Sequence, residues 1–267
     1  MTALRRAVDV VRDMDPLLLV LRWSLLTLLV NANDDPLVFV VVAIATVIAL
    51  PRPSILHSPW FWAAAFVLVG GRQLATWHTI DDHIIVTTYW CLALALALTA
   101  REVLPTVAAS ARLLVGLVFA LAAAWKLGGG EFIDGTFFRY SLLFDDRFEA
   151  VARWAGGTSR GDLQANVAAL HGLTTLPAAG PSAALVEGPR NLAVATAFTA
   201  WGALIETVVA IAFLAPLRTR HEWIRPAALF AFAGTTYAIV PVGGFGTLLM
   251  LLGAAQTKSQ PLRMAYL

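Results

Sequence analysis

Charged residues are scarce in this sequence. Only 13% of its 267 residues are Asp, Glu, Lys or Arg, whereas soluble domains carry about 25%. Hydrophobic residues make up 59% of the chain. So few charges cannot cover the surface of a water-soluble domain, and so much apolar content excludes a disordered chain. The composition therefore indicates a protein that lies in a membrane and argues against an ordinary soluble enzyme.

Cysteine and lysine are almost absent. The single Cys91 excludes an internal disulfide and a metal site built on cysteines. Lys126 and Lys258 are the only lysines, and the net charge is just +2. Such a small charge gives no field for binding nucleic acid. We therefore expect no bound metal and no nucleic-acid partner.

The sequence contains several long apolar runs. They cover residues 16–30, 36–50, 59–76, 84–100, 107–127, 192–215 and 226–255. About 20 apolar residues are needed to cross the hydrocarbon core of a bilayer as a helix. The last run exceeds one span and contains Pro241 and Gly243–Gly246, which predicts a broken helix or two half-length elements. The expected fold is an all-α integral membrane bundle of seven or eight transmembrane helices.

Charge in the connecting segments predicts the organisation of this bundle. We interpret residues 1–15 as an interfacial amphipathic helix, 16–255 as the transmembrane domain and 256–267 as a C-terminal tail. Acidic and basic connections alternate, and the positive-inside rule then places the N-terminus and the basic loops in the cytoplasm of a multi-pass cell-membrane protein. The insertion 128–191 would lie outside. Its aromatic stretch 132–154 predicts a helix along the membrane surface, and 156–190 predicts mostly loop with one short helix.

Lys126 is the most informative single residue. It closes the fifth apolar run, behind a ridge of small residues formed by Gly116, Ala120 and Ala124, which allows another helix to approach closely. A lysine beside such a packed face loses water, which favours the neutral amine and hence a base or nucleophile. The alternative is a lysine that reaches from its helix end to the lipid headgroups.

Glu206 lies well inside the sixth apolar run. Burying an acid at such a position in a membrane costs free energy, so its side chain is expected to face the interior of a helix bundle. Lys126, Arg112 and Arg22 are its candidate partners. Glu206 either contacts a substrate or relays protons, or it belongs to a structural ion pair.

The segment Trp77–His83 places His78, Asp82 and His83 just before the fourth apolar run. A histidine there can carry a proton near neutral pH, and Asp82 can fix its tautomer. The two histidines are five residues apart, unlike the i, i+4 pair of a helical zinc site. The alternative is a polar interfacial loop in which Asp82 caps the next helix.

Three segments, taken in order, resemble one family. Residues 110–135 contain Arg112, a span of small residues, Lys126-Leu127 and Gly135, preceded by the Trp77–His83 segment and followed by the Gly-x-Phe break at 243–245. This order resembles the vitamin K-dependent γ-carboxylase-like proteins, the horizontally transferred transmembrane (HTTM) group. The likeness runs over residues 15–255, and the Lys-Leu to Gly stretch is its specific part.

The resemblance implies a mechanism for the carboxylases of this group. A buried lysine acts as the base on reduced vitamin K, reaction with oxygen gives a stronger base, and that base removes the γ-proton of a peptide glutamate before carbon dioxide adds. Lys126 and His83 match the catalytic lysine and a histidine of the active site. The resemblance implies a carboxylase-like enzyme that uses reduced vitamin K or menaquinone. Substrate contacts are predicted for Glu206, Arg112, Trp77, Asp82, His78 and Trp125.

The sequence also departs from the carboxylases. They carry a histidine and an asparagine in the penultimate helix, where this chain has Thr235 and Ala238. No segment corresponds to their large extracytoplasmic substrate domain. Two alternatives therefore remain. One is a non-catalytic partner for the maturation, export or immunity of a secreted peptide, contacted through 128–191. The other is a DoxX-like redox or transport protein, whose pathway Glu206 and the break at Pro241–Gly246 would mark.

Overall fold

The computed structural model describes residues 9–33, 35–75, 82–175, 185–240 and 243–267. Within these ranges the chain is helical and contains no β-strand, which confirms the predicted all-α class. The helices are α1 (Pro16–Asn31), α2 (Pro36–Ala49), α3 (Pro53–Leu56), α4 (Pro59–Ala75), α5 (Asp82–Ala97), α6 (Val103–Gly128), α7 (Gly130–Ile133), α8 (Thr136–Phe144), α9 (Glu149–Val151), α10 (Arg160–Thr175), α11 (Asn191–Leu214), α12 (Ile224–Tyr237), α13 (Gly243–Gln256) and α14 (Gln260–Tyr266). Short helical turns occupy Asp146–Phe148, Ala152–Gly156 and Thr219–His221.

Every predicted apolar run contains a helix. The long run 226–255 is divided into α12 and α13, so the predicted break is confirmed, although Pro241 itself lies outside the described residues. Two of the described helices, α6 and α11, are long and apolar enough to cross a membrane. The remaining apolar helices are shorter. Proline at the first helical position and a capping aspartate begin α1 and α2, through Asp15 and Asp35.

The chain is divided into two compact units. The first comprises Met1–Val118, Phe213–Leu229 and Val242–Leu267, and the second comprises Phe119–Ala212 and Phe230–Pro241. Lys126 and Glu206 belong to the second unit, whereas His83 and Arg112 belong to the first.

Buried polar contacts join α1 to α5 in the first unit. The indole nitrogen of Trp90 donates a hydrogen bond of 2.8 Å to Ser24 Oγ, and Asn31 Nδ2 donates one of 2.8 Å to Thr87 Oγ1. Ser24 and Asn31 are seven residues apart and share a face of α1. Because unpaired polar groups are costly in an apolar setting, these two bonds select one pairing of the helices.

The second unit contains a separate apolar core. Its buried members come from α8, the turns after it, α10 and α11; they are Leu142, Phe148, Ala152, Leu163 and Ala195. The prediction of one surface helix over 132–154 is wrong. Gly135 has a φ of 81°, a left-handed conformation that ends α7, and the Asp145 carboxylate caps the turn that follows α8.

Two further segments are more ordered than the sequence indicated. Between 156 and 190, α10 alone has 16 residues where one short helix was expected. The tail 256–267 forms α14, and its Tyr266 ring is buried against Gly253 of α13. The predicted N-terminal helix is described only from residue 9 and is helical at 9–12.

Candidate functional site

An ion pair between Lys126 and Glu206 forms the centre of the candidate site in the second unit. Lys126 Nζ donates to Glu206 Oε1, joining the last turn of α6 to α11. The two side chains are only 19% and 11% exposed. Lys126 is therefore the partner that Glu206 takes among the three cations considered. In a setting with little water, the attraction between two such charges is much stronger than at a protein surface.

One face of α11 carries the site. Thr199, Gly202 and Glu206 recur at the three- and four-residue spacing that puts side chains on the same side of a helix. Gly202 lies against Phe132, because a Cβ atom there would be 3.5 Å from Phe132 Cζ. A Cβ atom at Gly135 would lie 3.8 Å from Thr199 Oγ1. The short helix α7 and the Gly135 turn that follows it thus pack along α11 next to the acid.

Aromatic rings surround this end of the ion pair. Lys126 Nζ lies 5.2 Å from the centre of the buried Phe132 ring, within the range of a cation–π contact. Phe132 belongs to a group of interlocked rings; the others are Phe137, Phe138, Phe148 and Phe198. Their centres are 5.2 to 6.2 Å apart, mostly at steep angles. The surroundings of the charges are therefore apolar and aromatic.

Two buried oxygens beside these rings have no donor among the described residues. They are Glu206 Oε2 and Thr199 Oγ1. Glu206 as a whole is only 8% exposed. A buried carboxylate oxygen without a hydrogen bond is costly, so a ligand hydroxyl or a water that donates to it is stabilised there. Sequence reasoning missed Thr199, although its spacing of seven residues from Glu206 on an apolar helix was a usable signal.

His83 lies in a different environment, in the first unit. Its backbone carbonyl accepts a hydrogen bond of 2.9 Å from Thr87 Oγ, and Thr87 in turn accepts from Asn31. A Cβ atom at Gly244 would lie 3.0 Å from His83 Nε2 and would overlap Asn31 Oδ1. The start of α13 therefore packs directly on Asn31 and His83, which explains the need for glycine at 244. Asn31 was not predicted.

The remaining predicted residues are distributed over both units. Trp125 is 67% exposed on α6, and its indole is open to lipid or ligand. Thr235 accepts a hydrogen bond of 3.1 Å from the Trp201 indole, and Ala238 is exposed. Trp77 and His78 lie outside the described residues, as does the side chain of Asp82, whose backbone begins α5. Arg112 lies on α6 near Arg225.

A cleft of ≈ 580 Å³ lies between α8 and α10 in the second unit. Its lining includes Leu142, Leu163, Val167, Asp145, Asp146, Glu149, Arg160 and His171. Arg147 donates to Asp145 at 2.6 Å, and this hydrogen bond lowers the pKa of the Asp145 carboxyl. Glu149 and Arg160, which both line the cleft, form an ion pair at 3.6 Å. Elsewhere in the second unit, the Arg139–Glu187 hydrogen bond at 2.6 Å raises the pKa of Arg139.

Comparisons with protein-family models, with curated proteins and with solved structures found no match to this chain. Among the described residues, no cluster of three or more His, Cys, Asp or Glu has the arrangement of a metal site. Function must therefore be argued from the chemistry of the residues themselves.

Proposed function

We propose that the chain is a multi-pass membrane enzyme of the HTTM, carboxylase-like kind. In this proposal the Lys126–Glu206 pair removes a proton from the hydroxyl group of a lipophilic substrate such as reduced vitamin K or menaquinone. The single observation that carries the proposal is a mutually paired lysine and glutamate, beside aromatic rings, on the two described helices that are long and apolar enough to cross a membrane. Ionisable residues at such positions mark functional sites by default.

The exposure of α6 and α11 supports the membrane setting. Only 33% and 39% of their most apolar stretches are buried within the chain, whereas the core helix of a soluble protein is mostly buried. Large apolar side chains such as Leu121 on α6, Ile211 on α11 and Val47 on α2 are exposed. Lipid is the solvent that such faces fit. In this setting the N-terminus and the basic loops face the cytoplasm, as the charge pattern predicts.

The free oxygen of Glu206 defines the chemistry. A substrate O–H group that donates to Oε2 satisfies the buried acceptor, and its proton can then pass to the carboxylate. The substrate oxygen keeps the bonding electron pair, and the Lys126 ammonium stabilises the resulting negative charge. An ammonium has no lone pair, so Lys126 acts as a base only after it has passed its own proton to Glu206. In both routes the pair can take up one proton because the Glu206 carboxylate is unprotonated at the start.

The rings beside Lys126 indicate the substrate class. Edge-to-face aromatic contacts favour a flat ring system, and a phenolic hydroxyl on such a ring supplies the donor that Glu206 lacks. The resemblance to the carboxylase-like proteins leads to the same class, a hydroquinone. His83 is a second catalytic candidate by that resemblance only.

Binding of a reduced menaquinone analogue to the purified chain tests this proposal. Loss of a hydrogen bond to a charged group costs about 1.5–3 kcal/mol, so Lys126→Ala and Glu206→Gln should each weaken binding by about tenfold or more. Lys258→Ala is the matched control, because Lys258 is the only other lysine and is exposed. Absence of binding by the wild type, or equal binding by all four proteins, would refute the proposal.

A second candidate function rests on the cleft between α8 and α10. Its apolar floor and charged rim, in the segment predicted to lie outside the membrane, suit a short amphipathic peptide. In that case the chain would be a maturation, export or immunity partner of a secreted peptide. Filling the cleft with Val167→Trp should then abolish peptide capture, and Lys126→Ala should leave it unchanged. The reverse pattern would reject the peptide role.

A further inference from the structure

We propose that Arg112, Arg218, Arg220 and Arg225 of the first unit form a binding site for the phosphate group of an anionic phospholipid. The inference rests on the proposed membrane setting, but not on the chemistry at Lys126. The four residues come from α6, from the loop that follows α11 and from the start of α12.

A close helix contact places Arg112 at the end of α11. A Cβ atom at Gly116 would lie 2.6 Å from Leu214 Cδ2, so α6 and the last residue of α11 touch at this glycine. Arg112 precedes Gly116 by four residues and therefore lies on the same face of α6, one turn away. Its guanidinium is thus directed to the region where α11 ends and the arginine-bearing loop begins.

Arg225 reaches the same place from α12. It is 8% exposed, and its Nη2 donates to the carbonyl oxygen of Ala215 at 3.3 Å, immediately after the end of α11. Arg112 is close enough for the two positive charges to interact. Two guanidinium groups repel each other, and an anion that contacts both removes this repulsion.

The surrounding charge is strongly one-sided. Within the part of the chain that the structure describes, no carboxylate forms an ion pair with Arg112, Arg218 or Arg220. Glu222 is an acid whose charge acts on Arg225. Arg112, Arg218 and Arg220 supply positive charge that no carboxylate pairs within the described residues, and the planar fork of arginine matches two phosphate oxygens at once.

The neighbouring apolar residues indicate a lipid phosphate. Trp223, in the same loop, is 64% exposed, and exposed tryptophans are typical of the headgroup level of a membrane. Leu113 and Leu117 follow Arg112 on α6 and are also exposed, as contacts for acyl chains require. The loop is predicted to face the cytoplasm, where the membrane leaflet is rich in anionic lipid.

Native mass spectrometry of the purified full chain, titrated with phosphatidylglycerol or phosphatidylcholine, tests the site. We expect phosphatidylglycerol to bind more tightly, and Arg112→Gln or Arg218→Gln/Arg220→Gln to lower its affinity about fivefold or more per arginine. Arg52→Gln, an exposed arginine in another basic loop of the same unit, should change it less than twofold. Arg112→Lys, which keeps the charge but not the fork, should keep part of the affinity. The loop variants remain informative if Arg112→Gln does not fold.

Three results would overturn the inference. One is equal binding of both lipids. Another is an equal loss in Arg52→Gln, which would show a general effect of charge. The third is full competition by 10 mM inorganic phosphate, which would identify a site for free phosphate. If the chain is not a membrane protein at all, the result is different, because it would then be recovered in the soluble fraction of the expressing cells.

Discussion

Removal of each partner of the Lys126–Glu206 pair should destabilise the protein unequally. The perturbations are Lys126→Met, Glu206→Leu and both together, each replacing a charge by an apolar side chain of similar size. Breaking a buried ion pair costs about 3–5 kcal/mol, because the other charge is left without a partner. That range is an upper limit here, since Lys126 is 19% exposed.

The positions of the two residues set the order of the effects. Glu206 lies inside α11, away from both helix ends, and its side chain is only 11% exposed, so Lys126→Met leaves a stranded acid and should cost about 3 kcal/mol. Lys126 lies in the last turn of α6, from which a lysine can extend to the headgroups. Glu206→Leu should therefore cost about 1–2 kcal/mol. The double variant should cost less than about 1 kcal/mol, because neither charge remains.

Reversible unfolding in mixed micelles measures these free energies, and the double-mutant cycle isolates the coupling between the residues. The costs above give an expected coupling of about 3–5 kcal/mol, in favour of the pair. A coupling below about 0.5 kcal/mol would show that the two charges do not interact in solution. Equal costs of the two single changes would contradict the argument from helix position.

Two further predictions concern the packing of α13 and the turn after α8. Gly244→Ala should destabilise the chain by about 1–3 kcal/mol, because its Cβ would overlap Asn31 and lie 3.0 Å from His83 Nε2; Gly243→Ala, which meets nothing within 4 Å, should not lower the thermal unfolding midpoint. The hydrogen bond from Arg147 lowers the pKa of Asp145, so its contribution is present above the ordinary aspartate pKa of about 3.9 and disappears as pH falls through the lowered value. Asp145→Asn should therefore speed amide hydrogen exchange at Arg147 at pH 7, and the difference from wild type should shrink as the pH falls below the ordinary aspartate pKa and through the lowered pKa of Asp145; a difference that does not shrink in acid would contradict the assignment to charge.

Helix positions were largely predictable from the sequence. Every long apolar run with few charges contains a helix, and the break near Gly243 followed from its glycines. The segment after α6 was not predictable in the same way. Its pattern of aromatic and charged residues fits one amphipathic helix, but the chain turns at the left-handed Gly135 and again at Asp145, so the segment is divided into shorter helices. Hydrophobic periodicity records which face is apolar and does not register a change of chain direction.

The residues of the site were more predictable from the sequence than the contacts between them. Lys126 and Glu206 were conspicuous because charges are rare in apolar runs. That they pair with each other depends on how α6 and α11 pack, and three cations were equally plausible partners for the acid. Thr199 was missed because a threonine is ordinary in an apolar helix. Asn31 became notable only when α1 and α13 were seen to meet around Gly244.

Three ionisable residues occupy the two membrane-length helices, namely Arg112, Lys126 and Glu206. Each is expensive in an apolar setting, and a buried ion pair is on average no more stable than apolar residues of the same size. Stability alone therefore does not explain why the chain keeps Lys126 and Glu206. The double variant separates the two explanations, because it should retain most of the folding free energy and lose hydroquinone binding. If the pair served only packing, the double variant should lose folding free energy and should bind hydroquinone as the wild type does.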